Sequence, residues 1–432
     1  VDLEPQEASR ALVGQLTRAV AAACGAPSGA PGPVQINVAF RDPLTPVRPA
    51  SNSGDEAVVP FAPRPTRVLR ASVTPERWED VVGPAAAGLI VAGEGASPRA
   101  REWSRAAGFP LFAEPASGAW KGGGVTPFEQ SLVASSLGRE IDVVVVTGRP
   151  TLSRPIHALL ARPEVRVILV DPHAPWVDVS GNASVVVADL EPAREPISAA
   201  QAEWASRIRD AARDAGERIE TLLAAGSGRT MLDLARAVAA STSGPLVLGA
   251  SNPVRAFDLA VPTLEGRVVH SNRGQAGIDG TIATAVGICL GSGYAGEASA
   301  PSGERVSAVM GDLTACHDAS SLALAASVGA HLDIVVADDQ GGGIFATLEH
   351  GRATSPEAYD RWFGVAQEID YEALAAAYHL AFARADEPQE LESLLAQPIS
   401  GPRLIHAPVE RGAHLYAPVE RGAHLYAAVR DV

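Results

Sequence analysis

The sequence is poor in several features that mark particular classes of protein. Its 432 residues contain three cysteines, Cys24, Cys289 and Cys316, which form no CxxC pair, so neither a zinc site nor a disulfide framework is expected. No apolar stretch reaches the roughly 18 to 20 residues that span a bilayer, and the first residues lack a signal-peptide pattern. We therefore expect a soluble cytoplasmic protein without a membrane partner.

Positive charge is scarce as well. The formal net charge is −15, and no basic segment interleaved with aromatic residues offsets it locally. An acidic surface repels phosphate backbones, so nucleic acid is not an expected partner. Hydrophobic residues make up 47% and charged residues 20% of the chain, which is typical of a folded globular protein, and the length favours two or three domains.

The amino-terminal part of the sequence predicts one helix and one strand. Apolar residues recur at helical spacing over 6–23, and VQINVAF at 34–40 alternates as a strand does. The segment 41–66 is rich in proline, serine and charge, which is typical of a linker. A domain boundary is therefore predicted near residue 50.

The rest of the sequence predicts an α/β fold with two parallel sheets. Five apolar runs between residues 67 and 195 alternate with polar helical stretches: GLIVAGEG, PLFAEP, IDVVVVTG, VRVILVDP and ASVVVADL. Five more follow in the carboxyl-terminal half: PLVLGASN, GRVVHSN, RVSAVMGDL, LDIVVADDQ and RLIHAPV. This alternation is typical of βα units around a buried parallel sheet. A tandem copy of APVERGAHLY at 407–426 is interpreted as a local duplication, because two copies are too few for a repeat fold.

Acids end two strands of the second predicted sheet. GDL at 311–313 and ADDQGG at 337–342 flank one helical segment, as in a βαβ unit. Because such crossovers are right-handed and join parallel strands, Asp312 and Asp339 are predicted at the same carboxyl edge. Two carboxylates and a glycine-rich turn suit Mg²⁺ and a bound phosphate. Acids that merely cap helices remain an alternative, and Asp338 is an adjacent candidate ligand.

A second group of polar residues is predicted at this edge. LGASNPVR at 248–255 and SNRGQAGIDG at 271–280 both follow apolar strands, which brings Ser251, Arg255 and Arg273 towards the same crevice. Two arginines beside a metal-bound anion suit a substrate rich in carboxylates. Solvated loop arginines are an equally open interpretation on this pattern alone.

Together these motifs resemble one enzyme family. The pairing of GDL with ADDQGG, 27 residues from Asp312 to Asp339, resembles the diphosphate and metal motif of thiamine-diphosphate enzymes. With SNRGQAGIDGTIATAVG, LGASNPVR, GGGIF, GRPTLSRP and WVDVSGN, nearly the whole chain resembles the 2-succinyl-5-enolpyruvyl-6-hydroxy-3-cyclohexene-1-carboxylate (SEPHCHC) synthase family. Two departures are ADDQ in place of asparagines and GVAQ at 364–367 in place of a GTPH-like run.

The resemblance implies residues that bind a metal and a cofactor. Asp312, Asp339 and the Gly341 carbonyl would hold Mg²⁺ or Mn²⁺, and Ile278 would support bent thiamine diphosphate. The full set of cofactor-binding residues that it implies is Ser251, Ile278, Gly311, Asp312, Leu313, Thr314, Asp339, Gly341, Gly342, Ile344 and Phe345.

The resemblance also implies residues that contact the substrates. Ser251, Arg255 and Arg273 match positions that contact the reacting intermediate, and the two arginines match positions that bind substrate carboxylates. Arg154 in GRPTLSRP matches a further basic residue near the substrate. With Ile278, the implied catalytic residues are therefore Ser251, Arg255 and Arg273.

The implied activity is that of a transferase of menaquinone biosynthesis. It decarboxylates 2-oxoglutarate and adds the succinyl unit to isochorismate, in a homodimer or homotetramer. The implied domains are a remnant of the pyrimidine-binding domain with a linker at 1–50, a middle domain at 51–195 and a diphosphate-binding domain at 196–432. Most of the pyrimidine-binding domain, with the glutamate that activates the cofactor, is expected to lie outside this chain.

Two other interpretations remain open from the sequence. The chain could bind metal and diphosphate without turnover, because no candidate for the activating glutamate is visible. It could instead be another thiamine-diphosphate carboligase, such as a relative of acetolactate synthase. That alternative would require a flavin-compatible middle domain and would lack the pair Arg255 and Arg273.

Overall fold

The computed structural model describes residues 2–3, 10–26, 29, 31–38, 68, 73–173, 176–226, 229–292, 304–347 and 353–410. The predicted linker at 41–66 lies outside these residues, as does the tandem repeat beyond residue 410. The chain divides into two compact units. The first is Val1–Glu76, Asp171–Val177 and Val187–Leu190, and the second is Arg77–Val170, Asp178–Val186 and Glu191–Val432.

The first unit contains a short parallel sheet and one helix. Strand β1, Asp2–Leu3, pairs with β2, Asn37–Val38, and helix α1 covers Arg10–Ala23. Gly25 follows the helix with a φ of 70°, a left-handed conformation that commonly ends helices and that glycine adopts without strain. The helix and strand predicted here are therefore confirmed, although the strand covers only two of the described residues.

The second unit contains a five-stranded sheet. Its strands are β3 (Gly88–Ala92), β4 (Leu111–Ala113), β5 (Val143–Thr147), β6 (Arg166–Val170) and β7 (Ala183–Val187), in the order β4-β3-β5-β6-β7. Every strand pair with a defined register is parallel. All residues of β3 and β5 are buried, as expected for apolar runs in a sheet that is covered on both faces. The five predicted runs are confirmed as strands.

The same unit contains a six-stranded sheet. Its strands are β8 (Leu246–Leu248), β9 (Val269–His270), β10 (Val306–Gly311), β11 (Leu332–Asp338), β12 (Ala381–Arg384) and β13 (Arg403–Pro408), in the order β12-β13-β11-β10-β8-β9. All of its defined pairs are parallel. Five strands were predicted and are confirmed. Strand β12 was not predicted, because AFAR is a short edge strand without a buried apolar run.

Helices connect the strands of both sheets. They are α2 (Trp78–Val81), α3 (Ala100–Ala107), α4 (Glu129–Ala134), α5 (Arg154–Leu160), α6 (Ala199–Ala224), α7 (Met231–Ser241), α8 (Asn252–Ala260), α9 (Thr281–Ser292), α10 (Asp312–His317), α11 (Ser321–Ser327), α12 (Pro356–Tyr359), α13 (Tyr371–Ala377) and α14 (Pro388–Ala396). Capping boxes start α6, with Ser198 and Gln201, and α7, with Thr230 and Asp233. In the described part of the chain, no helix is long and apolar enough to cross a membrane.

Each sheet has a point where its strand order reverses. In the six-stranded sheet the chain leaves β8 towards β9 on one side and β10 towards β11 on the other. In the five-stranded sheet it leaves β3 towards β4 and β5 towards β6. Loops that diverge in this way open a crevice at the carboxyl ends of the strands, where α/β folds bind ligands. The topology thus gives each sheet one favoured ligand edge.

A buried ion cluster ties three strands of the six-stranded sheet together. Asp333, the second residue of β11, is fully buried. One of its oxygens accepts from Arg403 Nε at 2.8 Å and the other from Arg305 Nε at 2.7 Å. These side chains lie at the amino edge, away from the predicted site. A buried charge that loses its partner is strongly destabilising, so this cluster depends on Asp333.

We predict that Asp333→Ala lowers the free energy of unfolding by about 3 to 5 kcal/mol, because Arg403 would be left buried without its partner. Urea unfolding measures the change. As a control, Glu140→Ala removes an exposed pair with Arg207, which is 2.6 Å long, and should cause a far smaller loss. Equal losses in the two variants would contradict the prediction.

Candidate active site

The acids predicted at the sheet edge follow two neighbouring strands. β10 and β11 are parallel, with Gly311 opposite Ala337, so Asp312 follows one strand and Asp339 the other. Both aspartates are buried. The structure therefore brings Asp312 and Asp339 to the same carboxyl edge of the six-stranded sheet.

Asp312 has one carboxylate oxygen that lacks a protein partner. Oδ1 accepts a hydrogen bond from the Leu313 amide at 2.8 Å, whereas the buried Oδ2 has no partner among the described residues. Burial raises the pKa of Asp312 to about 6, the Asp338 charge also raises it, and the Leu313 and Gly341 amides lower it. A buried oxygen without a hydrogen-bond partner destabilises the folded state unless a ligand satisfies it.

Asp339 lies against the glycine-rich turn. A β-carbon on Gly343 would collide with Asp339 Oδ2 and lie 3.5 Å from the side-chain nitrogen of Asn252. A β-carbon on Gly341, whose φ is 138°, would collide with the Gly364 carbonyl oxygen. Glycine is therefore required at 341, and a larger residue at 343 would displace the Asp339 carboxylate. The turn packs closely around Asp339 and brings the start of α8 beside it.

Asp338, the adjacent acid, uses both carboxylate oxygens within the protein. Oδ1 accepts from the Gln340 amide at 3.0 Å, and Oδ2 lies 2.8 Å from His406 Nε2. The His406 ring packs on Tyr371 with ring centroids 4.5 Å apart. In the described ranges, no three histidine, cysteine, aspartate or glutamate side chains converge as a metal site. A cation at this edge would therefore also need backbone or ligand oxygens.

The predicted arginines meet at one backbone carbonyl beyond β8. Arg273 Nη1 donates to the Ala250 oxygen at 3.0 Å, and Arg255 Nη1 donates to the same oxygen at 3.3 Å. Arg255 Nη1 also donates to the Ser251 oxygen at 2.9 Å. The structure thus brings Ser251, Arg255 and Arg273 together, next to the turn that contains Asp339.

Arg273 also joins the two sheets. Its Nη2 donates to both the carbonyl and the hydroxyl oxygen of Thr151 at 3.2 Å. Thr151 lies beyond β5, at the point where the strand order of the five-stranded sheet reverses. The favoured ligand edges of the two sheets therefore face one another across a buried guanidinium group.

The remaining predicted residues lie along these edges. Arg154 is exposed at the start of α5. Ile278 is half-buried in the loop before α9, where its carbonyl accepts from the Thr281 hydroxyl at 3.3 Å. The others belong to the segments that end or follow β10 and β11, and they are Gly311, Leu313, Thr314, Gly342, Ile344 and Phe345.

Buried polar atoms without a partner gather at the edge of the six-stranded sheet. Asn252 Oδ1, Ser271 Oγ, Arg273 Nε and Asp312 Oδ2 have no hydrogen-bond partner among the described residues. Such atoms are rare in folded proteins and are typical of a site that a ligand completes. Asn252 and Ser271 were not predicted as site residues, although they lie in the motifs SNPVR and SNRGQ.

The sequence of this chain is similar to those of known proteins. The family described as thiamine pyrophosphate enzyme, C-terminal TPP binding domain, matches residues 256–407. A 2-succinyl-5-enolpyruvyl-6-hydroxy-3-cyclohexene-1-carboxylate synthase from Nocardioides sp. is 38% identical over 391 residues, which cover 88% of this chain and 69% of the relative. Those of Renibacterium salmoninarum and Kineococcus radiotolerans are 36% and 37% identical, over 89% and 92% of this chain and 67% and 69% of the relatives. The chain belongs to the SEPHCHC synthase family.

Membership in the SEPHCHC synthase family confirms the resemblance drawn from the motifs. It also confirms a thiamine-diphosphate-dependent transferase of menaquinone biosynthesis, since the diphosphate-binding family matches the region that holds Asp312 and Asp339. Nothing in these relatives favours the alternative of an acetolactate synthase.

This SEPHCHC synthase family member also buries acids that the sequence analysis missed. Gln130 Nε2 donates to Asp258 Oδ2, and the carboxyl groups of Glu129 and Asp258 share a hydrogen bond. Burial raises the pKa of Glu129 and raises that of Asp258 to about 6. Burial also raises the pKa of Glu114 to about 8, and the nearby Asp258 charge contributes. Isolated acids in loops and helices carry no sequence signal of burial.

We predict that Glu114 makes the protein less stable as pH rises. Between pH about 4.5 and about 8 the folded state keeps a proton that the unfolded state has lost, so stability falls by up to about 1.4 kcal/mol per pH unit. Glu114→Gln removes this contribution. As pH rises over this range, the free energy of unfolding of the Glu114→Gln variant should therefore increase relative to that of the wild-type protein. Urea unfolding at several pH values measures it, and a constant difference would contradict it.

Proposed function

We propose that this chain acts in the SEPHCHC synthase reaction, in which 2-oxoglutarate is decarboxylated and its succinyl unit is added to isochorismate. The observation that carries the proposal is the shared edge of the six-stranded sheet. Asp312, Asp339 and the glycine-rich turn lie beside a cluster of arginines there. One crevice thus offers oxygen ligands for a diphosphate-bound cation and guanidinium groups for carboxylates.

Asp312, Asp339 and the Gly341 carbonyl would hold Mg²⁺ or Mn²⁺. The buried Asp312 Oδ2 without a protein partner supports this assignment, because a cation would satisfy it. Asp339 is the proposed second ligand because it is buried at the same carboxyl edge of the sheet as Asp312. Carboxylate and carbonyl oxygens are the ligands that these hard cations prefer.

Thiamine diphosphate, when bound, supplies the carbon nucleophile and the electron sink for decarboxylation. The residues of this chain hold and orient it. The glycines of the turn let the diphosphate approach the backbone, because a β-carbon would leave no room. Ile278 would support the cofactor through an apolar contact. The other residues proposed to contact it are Ser251, Gly311, Leu313, Thr314, Gly342, Ile344 and Phe345.

Arg255 and Arg273 would bind the carboxylates of the two substrates. 2-Oxoglutarate and isochorismate each carry two carboxylates, and a guanidinium group forms strong, directional hydrogen bonds with such groups. The Arg273 Nε, buried without a partner in the described chain, supports a role in ligand binding. Arg154, exposed at the start of α5, is the proposed third basic contact.

The domain limits and the assembly are part of the same proposal. Residues 51–195 would form the middle domain and residues 196–432 the diphosphate-binding domain, after a segment at 1–50 that closes a pyrimidine-binding domain. The positions of the five- and six-stranded sheets within those ranges support this division. A homodimer or homotetramer is the proposed assembly.

We predict that Asp312→Asn and Asp339→Ala weaken Mg²⁺-dependent binding of thiamine diphosphate at least about tenfold, because each removes a charged ligand. Isothermal titration with and without Mg²⁺ measures the effect. Asp386→Asn, which changes an exposed acid paired with Arg384 beyond β12, is the matched control and should bind normally. Unchanged Mg²⁺ dependence in both site variants would reject the metal assignment.

We predict that Arg255→Ala and Arg273→Ala weaken use of the substrates far more than binding of the cofactor. Each loses a charged hydrogen bond worth about 1.5 to 3 kcal/mol, or roughly a ten- to hundredfold change in KM. Steady-state kinetics for both substrates in the assembled enzyme test this. Arg267→Ala, which also removes an arginine bound to a backbone carbonyl, is the control. If both site variants keep normal kinetics, the arginines do not bind substrate.

A further inference from the structure

Glu114 is linked to Arg273 through two residues of backbone. It directly follows β4 and is buried. Its Oε1 accepts a hydrogen bond from the Leu152 amide at 2.6 Å, and the neighbouring Thr151 amide helps to lower the pKa of the same carboxyl group. Since Thr151 in turn accepts two hydrogen bonds from Arg273, the turn at 151–152 lies between the acid and the guanidinium group.

The contacts of Arg273 leave its positive charge available. Its Nη1 and Nη2 donate to neutral oxygens of Ala250 and Thr151. Negative charge comes instead from acids at longer range, since Arg273 lowers the pKa of Glu94, Glu114 and Asp258 through their mutual attraction. A guanidinium group held by neutral oxygens can still bind an incoming carboxylate.

We propose that Glu114 is a positioning residue for Arg273, which it holds in place through the turn formed by Thr151 and Leu152. The proposal rests on the proposed function, in which Arg273 binds a substrate carboxylate. An arginine side chain has many rotamers, and fixed partners on both terminal nitrogens, Nη1 and Nη2, select a single orientation. Glu114 holds Thr151, the hydrogen-bond partner of Arg273 that lies beyond a strand of the five-stranded sheet.

The groups that face Glu114 determine which substitution preserves its role. They are Asp258 from α8, Glu129 from α4 and Arg273 from the loop beyond β9. Burial and the Asp258 charge keep the Glu114 carboxyl protonated near neutral pH. Gln reproduces this neutral group and its accepting oxygen, whereas Ala removes the acceptor. Above about pH 8 an ionised Glu114 would compete with substrate for Arg273.

The test compares variants of the assembled holoenzyme with thiamine diphosphate and Mg²⁺. Glu114→Ala should raise the KM for 2-oxoglutarate roughly tenfold, and Glu114→Gln should restore it to within about twofold. The wild-type KM should rise above about pH 8, and this rise should be absent in the Glu114→Gln variant. In an Arg273→Ala background, Glu114→Ala should add less than about twofold, because it acts through the missing arginine.

Glu79→Ala is the matched control. Glu79 also holds a turn of backbone, since its Oε1 accepts from the Arg194 amide at 2.6 Å and the Glu195 amide at 3.3 Å. It lies in α2, ahead of the amino end of β3, and so away from Arg273. Its loss should leave the KM unchanged. A similar rise in KM for Glu79→Ala and Glu114→Ala would mean that Glu114 only stabilises the fold.

Two further measurements separate this inference from the proposed function. Normal KM in Arg273→Ala would reject the part of the proposed function in which Arg273 binds substrate. Hydrogen exchange of the Arg273 Nε–H, followed by NMR without any ligand, tests the positioning role by itself and should accelerate in Glu114→Ala. Unchanged exchange would overturn the inference. If Glu114→Ala does not fold, Glu114→Asp withdraws the acceptor from the Leu152 amide by one methylene group, and normal KM in that variant would overturn the inference equally.

Discussion

The parallel pairing of β10 with β8 on one side and β11 on the other is the constraint on which the site depends. Its register places Val309 opposite Leu248 and Gly311 opposite Ala337. The three loops beyond these strands therefore leave the sheet side by side. A slip of one residue would turn each side chain to the opposite face and separate the acids from the arginines.

Burial of charge is the second requirement of this architecture. Arg273 and the acids around it lie between two sheets, where unpaired charges are costly. The chain limits that cost in two ways. Neutral carbonyl oxygens accept the guanidinium hydrogen bonds, and burial raises the pKa of Glu114, Glu129 and Asp258 so that protons reduce their charge. As a result, neutral oxygens hold the Arg273 guanidinium group in place without neutralising its charge.

The two sheets differ in what they contribute. The six-stranded sheet carries the paired acids, the glycine-rich turn and the arginines, and the matched diphosphate-binding family falls on it. The five-stranded sheet contributes Thr151 and Glu114, which act on Arg273 from the opposite side. Its role at the site is to position a residue that belongs to the other sheet.

The fold could be predicted from the sequence, as could the place of the paired acids and the arginines of the candidate site, because these depend on local patterns. Buried parallel strands appear as continuous runs of Val, Ile and Leu, and ten such runs are strands. The edge strand β12 lacks that run and was missed. Asp312 and Asp339 could be placed at one edge because the handedness of a βαβ unit is nearly invariant.

The sequence by itself determined the two-sheet α/β fold, the family and the residues that follow each strand, because strand periodicity and crossover handedness are local properties. Only the tertiary structure decided which of these residues meet. The contacts of Asp338 with His406, of Arg273 with Thr151 and of Glu114 with Leu152 join residues 68, 122 and 38 positions apart. Such contacts depend on how the sheets pack, and no spacing along the chain encodes them.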